Sequence, residues 1–180
     1  MTILLLARHG ETDWNRERRV QGHTDRPLNP AGQAQARELA GTLELEPLDA
    51  VYSSDLGRAY DTALAVAKPR GLEVVQVTAL RERHFGTWEG LTDAEILRRF
   101  PQASSGPWGD GEAPDEMAVR VVAALRTIAA QHTGGQVLVV SHGGPIRAIL
   151  RRHSVEIDGP IPNCHVIRLA VENGEFRPLD

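Results

Sequence analysis

Four short apolar runs punctuate the chain: TILLLA at 2–7, DAVYS at 49–53, EVVQV at 73–77 and QVLVVS at 136–141. Runs of this length, continuous rather than alternating, predict strands covered on both faces, as in a parallel sheet flanked by helices. Helical periodicity fills the spaces between them. Asn29-Pro30 has the form of an N-cap followed by a first-turn proline. That pattern continues through Ala34, Leu39 and Leu43 to a stop at Pro47. A second helix starts at Ser54-Asp55 and reaches Ala67, ahead of Pro69 and Gly71. TDAE at 92–95 has capping-box form and opens a short helix that ends before Pro101. Pro114 opens a longer helix with Met117, Val121, Leu125 and Ile128 on one face, ended by Gly134-Gly135. Pro145 opens PIRAILRRH, and the C-terminus reads as a hairpin, HVIRLAV and EFRPL, turned at Asn173-Gly174. The alternation predicts one domain over 1–180, a three-layer α/β/α sandwich with a mainly parallel central sheet.

In such sheets ligands bind outside the carboxyl ends of the strands. The first predicted strand ends in Arg8-His9-Gly10, the second in Ser53-Ser54 with Arg58 close behind, and the fourth in Ser141-His142-Gly143-Gly144. Two histidines and two arginines therefore emerge on one rim from separate strands. One histidine at a strand tip is ordinarily structural or solvated; the convergence of four such groups is much harder to dismiss.

Composition narrows the partners. The formal net charge of −4 argues against a general nucleic-acid or anionic-membrane surface, so anion recognition must be local. A single cysteine, Cys164, excludes an internal disulfide framework and fits a reducing cytosol; in PNCHVIRL it reads as a buried thiol of a strand. The opening MTILLLARHG has no basic n-region, and its apolar run is too short for a signal peptide or a membrane span, so a cytoplasmic location is expected. No HExxH or paired Cys/His spacing predicts a metal, and no GxxxxGK[ST] or GxGxxG loop predicts a nucleotide. Nothing in the pattern selects between a monomer and a homo-oligomer.

Four blocks in order, RHGETDWN, SSDLGRAYDTA, LRERHFGTWEG and VVSHGG, make the chain similar to the histidine phosphatase superfamily, the phosphoglycerate-mutase-like proteins. The resemblance implies a phosphoryl-transfer site that needs no cofactor. His9 would be the nucleophile, a neutral imidazole whose second ring nitrogen donates to a nearby carbonyl. Arg8, Arg58 and His142 would surround the transferring group, whose charge spreads over equatorial oxygens that the arginine fork matches. Asn15, Gln21, Gly22 and Gly143 match further phosphate-contact positions. Glu82 would be the general acid and base, a role that requires a partly enclosed site; without the resemblance it would read as a surface partner of Arg81 or Arg83. Glu11 and Thr12 read as loop support, and Trp14 and Trp88 as packing residues. His84 is placed either in the pocket or in solvent, and His23, His132, His153 and His165 have no matching partners.

The family includes phosphatases and mutases. Its mutases are typically longer, with a basic insertion after the acid; here 89–114 is short and carries only Arg98 and Arg99, which read as a solvated helix face. A wetter site favours hydrolysis of small-molecule phosphomonoesters. The alternative is a phosphoglycerate mutase dependent on 2,3-bisphosphoglycerate, and a third reading is an inactive phosphate-binding protein. Segment 106–116 departs from the family's pattern: Gly111-Glu112 remains, but Ala113 and Pro114 replace its usual polar continuation.

Overall fold

The computed structural model describes residues 1–103, 110–152 and 159–179. Its sheet is built around β1 (Thr2–Arg8), whose Leu4, Leu5 and Leu6 are fully buried. β1 lies between β4 (Gln136–Ser141), parallel to it, and β5 (Val166–Glu172), antiparallel to it. Beyond β4 come β2 (Ala50–Ser53) and the edge strand β3 (Val74–Gln76), both parallel; beyond β5 comes β6 (Glu175–Leu179). Four strands thus run parallel, and the C-terminal hairpin closes the other side. Asn173 and Gly174, at φ of 52° and 78°, turn it with the left-handed backbone that such tight hairpins need.

Side-chain alternation along the strands sorts the core into two layers. Leu4, Leu6, Val137 and Val139 pack against α5 (Pro114–Gln131) and α6 (Gly143–Arg152). Leu5, Ala7, Leu138 and Val140 pack against α2 (Pro30–Thr42) and α3 (Gly57–Ala67). A short helix α1 (Asp13–Arg16) follows β1, and α4 (Asp93–Arg99) carries the expected Thr92–Glu95 capping box. Among the described residues no helix is long and apolar enough to cross a membrane.

Several expectations shift, each for a tertiary reason. β3 is not covered on both faces: it pairs only with β2, and Val75 is exposed. α2 ends at Thr42, four residues short of Glu46 and the Pro47 stop, because Leu43 turns the chain into the core. Its buried face is Gly32, Ala36 and Leu39 rather than Ala34, since Gly32 packs directly on the Glu11 backbone. α3 begins at Gly57 instead of Ser54. Asp25, distant in sequence, accepts from the Gly57 N–H at 2.5 Å, while Asp55 is taken by Arg81. α6 starts two residues before Pro145, which sits in its first turn where a missing N–H costs nothing. Cys164 is not in a strand but in the left-handed turn before β5 (φ 57°), half-buried, and burial raises its thiol to about 12.

A methyl group on Gly32 would lie 2.0 Å from the Glu11 carbonyl oxygen, a backbone contact that cannot yield easily. Gly32→Ala should therefore lower stability by about 2 kcal/mol or more in urea unfolding, despite the better helix propensity of alanine. Equal or higher stability would mean that α2 does not press on the loop after β1.

Candidate active site

The register between β1 and β4 sets Arg8 beside Ser141, so the next residues, His9 and His142, leave the sheet together. Their ring centroids are 5.1 Å apart at 60°. Arg58 arrives from the first turn of α3, and its side chain, like that of His142, is fully buried. The three strand tips thus converge as one rim.

His9 Nδ1 lies 2.7 Å from the Gly10 carbonyl oxygen and must donate to it, which leaves the Nε2 lone pair available. The rest of the His9 segment is tied at several points. Gly10 N donates to Thr62 Oγ1 at 3.0 Å, Thr62 Oγ1 donates to the Arg58 carbonyl at 2.7 Å, and Asn163 Nδ2 donates to the His9 carbonyl at 2.8 Å. Burial, reinforced by the charges of Arg58 and Arg8, holds His9 well below the usual histidine range; the same causes depress His142. Both rings are therefore neutral near pH 7.

The arginines are held by carbonyls. Arg8 Nη1 donates to the Ile161 carbonyl. Arg58 donates through Nη2 to the Gly22 carbonyl (2.7 Å) and through Nη1 to the Thr24 carbonyl (3.0 Å) and Asp25 Oδ1 (3.3 Å). Arg8 Nε, Arg58 Nε and both ring nitrogens of His142 are buried without a hydrogen-bond partner among the described residues. Four buried polar atoms in one place would be costly in a purely structural core and suit an oxyanion that accepts from them.

Glu82 closes the site from the side. Its Oε2 accepts from Gly144 N at 3.0 Å and its Oε1 from Arg83 N at 2.8 Å. A Cβ at Gly144 would lie 2.1 Å from Oε1, so only glycine lets the carboxylate sit there. Arg81 does not pair with Glu82 but makes a two-point contact with Asp55 (2.8 and 2.6 Å). Behind the acid, Arg120 of α5 donates to the carbonyls of Ala79, Arg81 and Glu82 and to both oxygens of Glu112. His23 Nε2 donates to the Glu82 carbonyl at 2.9 Å, and Ser141 Oγ to that of Leu80 at 2.7 Å. Sequence reasoning missed Arg120 and His23. The one available signal was a charged residue, Arg120, bordering the apolar stripe of its helix. Glu112 is an anchor for Arg120, which explains why Gly111-Glu112 remains in the divergent segment 106–116; residues 104–109 lie outside the described ones.

Asn15 and Gln21 are both fastened by Thr12. Asn15 Oδ1 accepts from Thr12 N at 3.1 Å and Gln21 Oε1 from Thr12 Oγ1 at 2.9 Å, so each amide turns its NH₂ away from Thr12. Gly22, at φ +56°, shapes the loop: a Cβ there would meet Glu89 Oε1 at 2.0 Å. Glu89, also missed although it lies in the quoted acid block, accepts from His23 N, Thr24 N, Thr24 Oγ1 and Phe85 N. Burial alone would raise its carboxyl, but these bonds win and hold it below the usual range. Gly143 opens α6, and a Cβ there would make only an ordinary 3.8 Å contact with Arg8 Nε. His84 is half-exposed, 5.0 Å from the His23 ring, whereas Trp88 packs on Phe100 in the third core cluster. Arg98 and Arg99 are exposed, and His153 lies outside the described residues. Beside Glu82 and Gly144 a cavity of about 680 Å³ opens toward α5 and α6.

A family model described as the histidine phosphatase superfamily (branch 1) matches residues 4–179. The chain is 44% identical over 164 residues to a metal-independent phosphoserine phosphatase of Arabidopsis thaliana, covering 84% of this chain and 68% of that protein. It is 42% identical over 160 residues to phosphoglycerate mutase-like protein 4 of the same plant, covering 83% and 70%. Its fold superposes on the solved structure of Bacillus stearothermophilus YhfR with a TM-score of 0.89, at 34% identity, covering 99% of this chain and 95% of that one.

Because His9 and His142 are neutral in the fold but titrate near 6.5 when unfolded, the unfolded chain takes up more protons once pH falls below about 6.5. Their contribution is fully present above that pH and is lost as pH falls toward the depressed native values. Urea stability should drop between pH 6.5 and 5.5 by up to about 1 kcal/mol per histidine. His142→Gln should flatten that slope; an unchanged slope would place the proton uptake elsewhere.

Proposed function

The chain belongs to the histidine phosphatase superfamily, and on that footing we propose that it hydrolyses small-molecule phosphomonoesters through a phosphohistidine on His9. The observation that carries the reading is the fixed tautomer of His9, with Nε2 free to attack beside Arg8 Nε, Arg58 Nε and the His142 ring nitrogens, which have no partner among the described residues. In the first step Nε2 forms a bond to phosphorus while the ester P–O bond breaks, and protonated Glu82 gives its proton to the leaving oxygen. In the second, Glu82 as carboxylate takes a proton from water, the water oxygen bonds to phosphorus, and the P–N bond breaks to release phosphate. Arg8, Arg58 and His142, with Asn15, Gln21 and the Gly143 N–H, hold the equatorial oxygens; Gly22 acts by shaping the Arg58 loop. Charge neutralisation by these groups removes the need for a metal.

Hydrolysis is preferred over mutase chemistry because the segment after Glu82, 89–114, is short and carries as basic residues only Arg98 and Arg99, both exposed. The phosphoserine phosphatase relative is consistent with that choice, while the mutase-like relative keeps phosphoglycerate interconversion as the second reading. A cytoplasmic site of action is supported by the single cysteine, Cys164, which leaves no partner for an internal disulfide.

Brief incubation with ³²P-labelled substrate should leave acid-labile, alkali-stable label on the protein, absent in His9→Ala; label on serine would overturn the assignment. Glu82→Gln should slow hydrolysis of alkyl phosphates by about 10²–10⁴-fold but p-nitrophenyl phosphate far less, since nitrophenolate leaves without a proton. Equal losses on both would remove Glu82 from leaving-group protonation. Interconversion of 3- and 2-phosphoglycerate faster than phosphate release, and dependent on 2,3-bisphosphoglycerate, would replace the phosphatase reading by the mutase.

A further inference from the structure

We propose that Gln35 of α2 is a positioning residue for the nucleophile: by holding the Glu11 N–H it aims the Gly10 carbonyl at His9 Nδ1 and so fixes which ring nitrogen attacks. The inference rests on the phosphomonoesterase reading and accounts for how its nucleophile is kept in the reactive tautomer.

A neutral histidine has two tautomers, and only the one protonated on Nδ1 presents a lone pair at Nε2. In this fold the choice falls to the Gly10 carbonyl, 2.7 Å from Nδ1. That carbonyl belongs to a glycine, whose backbone supplies little conformational restraint of its own. It must be held from outside. A trans peptide is planar, with its C=O and N–H pointing in opposite directions, so fixing one edge fixes the other. The N–H of the Gly10–Glu11 peptide donates to Gln35 Oε1 at 2.8 Å. Gln35 thus pins the far edge of the plane whose near edge receives the His9 proton.

The planes on either side are held independently. In the His9–Gly10 peptide, the carbonyl accepts from Asn163 Nδ2 at 2.8 Å and the N–H donates to Thr62 Oγ1 at 3.0 Å. Beyond Glu11, its carbonyl accepts from Asn29 N at 3.0 Å. The plane between them keeps one freedom, a rotation about its Cα–Cα line by opposed changes in Gly10 ψ and Glu11 φ. A flip of that kind would present no acceptor to Nδ1, and the ring would be free to carry its proton on Nε2. Among the described residues only Gln35 and the His9 ring bond to this plane, so Gln35 is the external restraint on the flip. Two facing glycines let it reach. A Cβ on Gly10 would lie 2.6 Å from the Gly32 carbonyl oxygen, and one on Gly32 would lie 2.7 Å from Glu11 N. The first turns of α2 therefore rest directly on the loop. Gln35 itself is half-buried and belongs to neither core layer; it borders an outer cleft with Glu38, Thr42 and His165. Its replacement therefore leaves the core packing in place.

The test uses protein labelled with ¹⁵N in its histidine rings, where nitrogens bearing a proton and nitrogens bearing a lone pair resonate apart. The His9 signals are those lost in His9→Ala. Wild-type protein near pH 7 should show His9 protonated on Nδ1 alone. Gln35→Leu has a similar size but no acceptor, and an Nε2-protonated population should appear in it. Its kcat/KM for p-nitrophenyl phosphate should fall about 10- to 100-fold, while inorganic phosphate inhibits within about threefold of wild type. Gln35→Glu, which keeps an acceptor, should restore the single tautomer and most of the rate. Gln35→Lys offers only donors and can extend to solvent, so it should behave as Gln35→Leu does even where leucine disturbs folding. Wild-type His9 protonated on Nε2, or a single tautomer kept in both Gln35→Leu and Gln35→Lys, would overturn the assignment. Loss of phosphate inhibition in step with the rate would also overturn it, by making Gln35 a general support of the site. The spectrum needs no turnover, so the two readings fail separately. A tautomer shift in protein that hydrolyses no phosphomonoester leaves the positioning standing without the phosphatase. Hydrolysis with an unshifted tautomer leaves the phosphatase standing without the positioning.

Discussion

The parallel pairing of β1 with β4 is the constraint on which the site depends. Leu6 sits beside Val139 and Arg8 beside Ser141, and this register brings His9 level with His142. A slip of one residue would turn every β1 side chain to the opposite face of the sheet. It is prevented because both faces of β1 are committed: Leu4 and Leu6 to the layer of α5 and α6, Leu5 and Ala7 to the layer of α2 and α3. The hydrophobic core therefore does more than stabilise the domain; its alternation aligns two imidazoles 5.1 Å apart.

Gathering two arginines and two histidines in a buried space is expensive, because desolvation penalises every charged form there. The molecule tolerates it by graded means. The histidines stay neutral. The guanidiniums keep their charge by donating to backbone carbonyls at Ile161, Gly22 and Thr24, with Asp25 touching Arg58 from the outer side. The carbonyls that grip Arg58 are themselves held: Glu89 gathers the N–H groups of His23, Thr24 and Phe85, and so sets that loop. On the far side Arg120, neutralised by Glu112, performs the same service for the segment bearing Glu82. Apart from Asp25, which touches Arg58, these carboxylates stand one step behind the cup, where they orient its donors. An arrangement of this kind is preorganised for an anion whose charge develops in the middle.

The same logic explains the glycines around the site. Gly144 must lack a side chain because Glu82 occupies that space, and Gly22 because Glu89 does. Both let a carboxylate approach backbone closely, so they serve the anchoring network as much as the anion.

What the sequence determined by itself was everything that depends on local order. Apolar runs, Asn29-Pro30, the Thr92–Glu95 box and the Asn173-Gly174 turn identify elements because caps, turns and periodicity act between near neighbours. Arg8, His9 and His142 at the strand tips, and Arg58 in the helix turn just after one, were legible because a parallel sheet delivers its carboxyl ends to one rim. Tertiary structure alone decided which strand lies at the exposed edge, where α3 and α6 begin, and that Cys164 falls in a turn. It alone revealed Arg120, Glu112, His23 and Glu89 as the fastenings of the acid and the Arg58 loop. Their partners lie up to 66 positions away, as Glu89 does from His23. A side chain's reading is local until the fold chooses its neighbour, and hydrogen bonds across such separations carry no periodic or compositional mark along the chain.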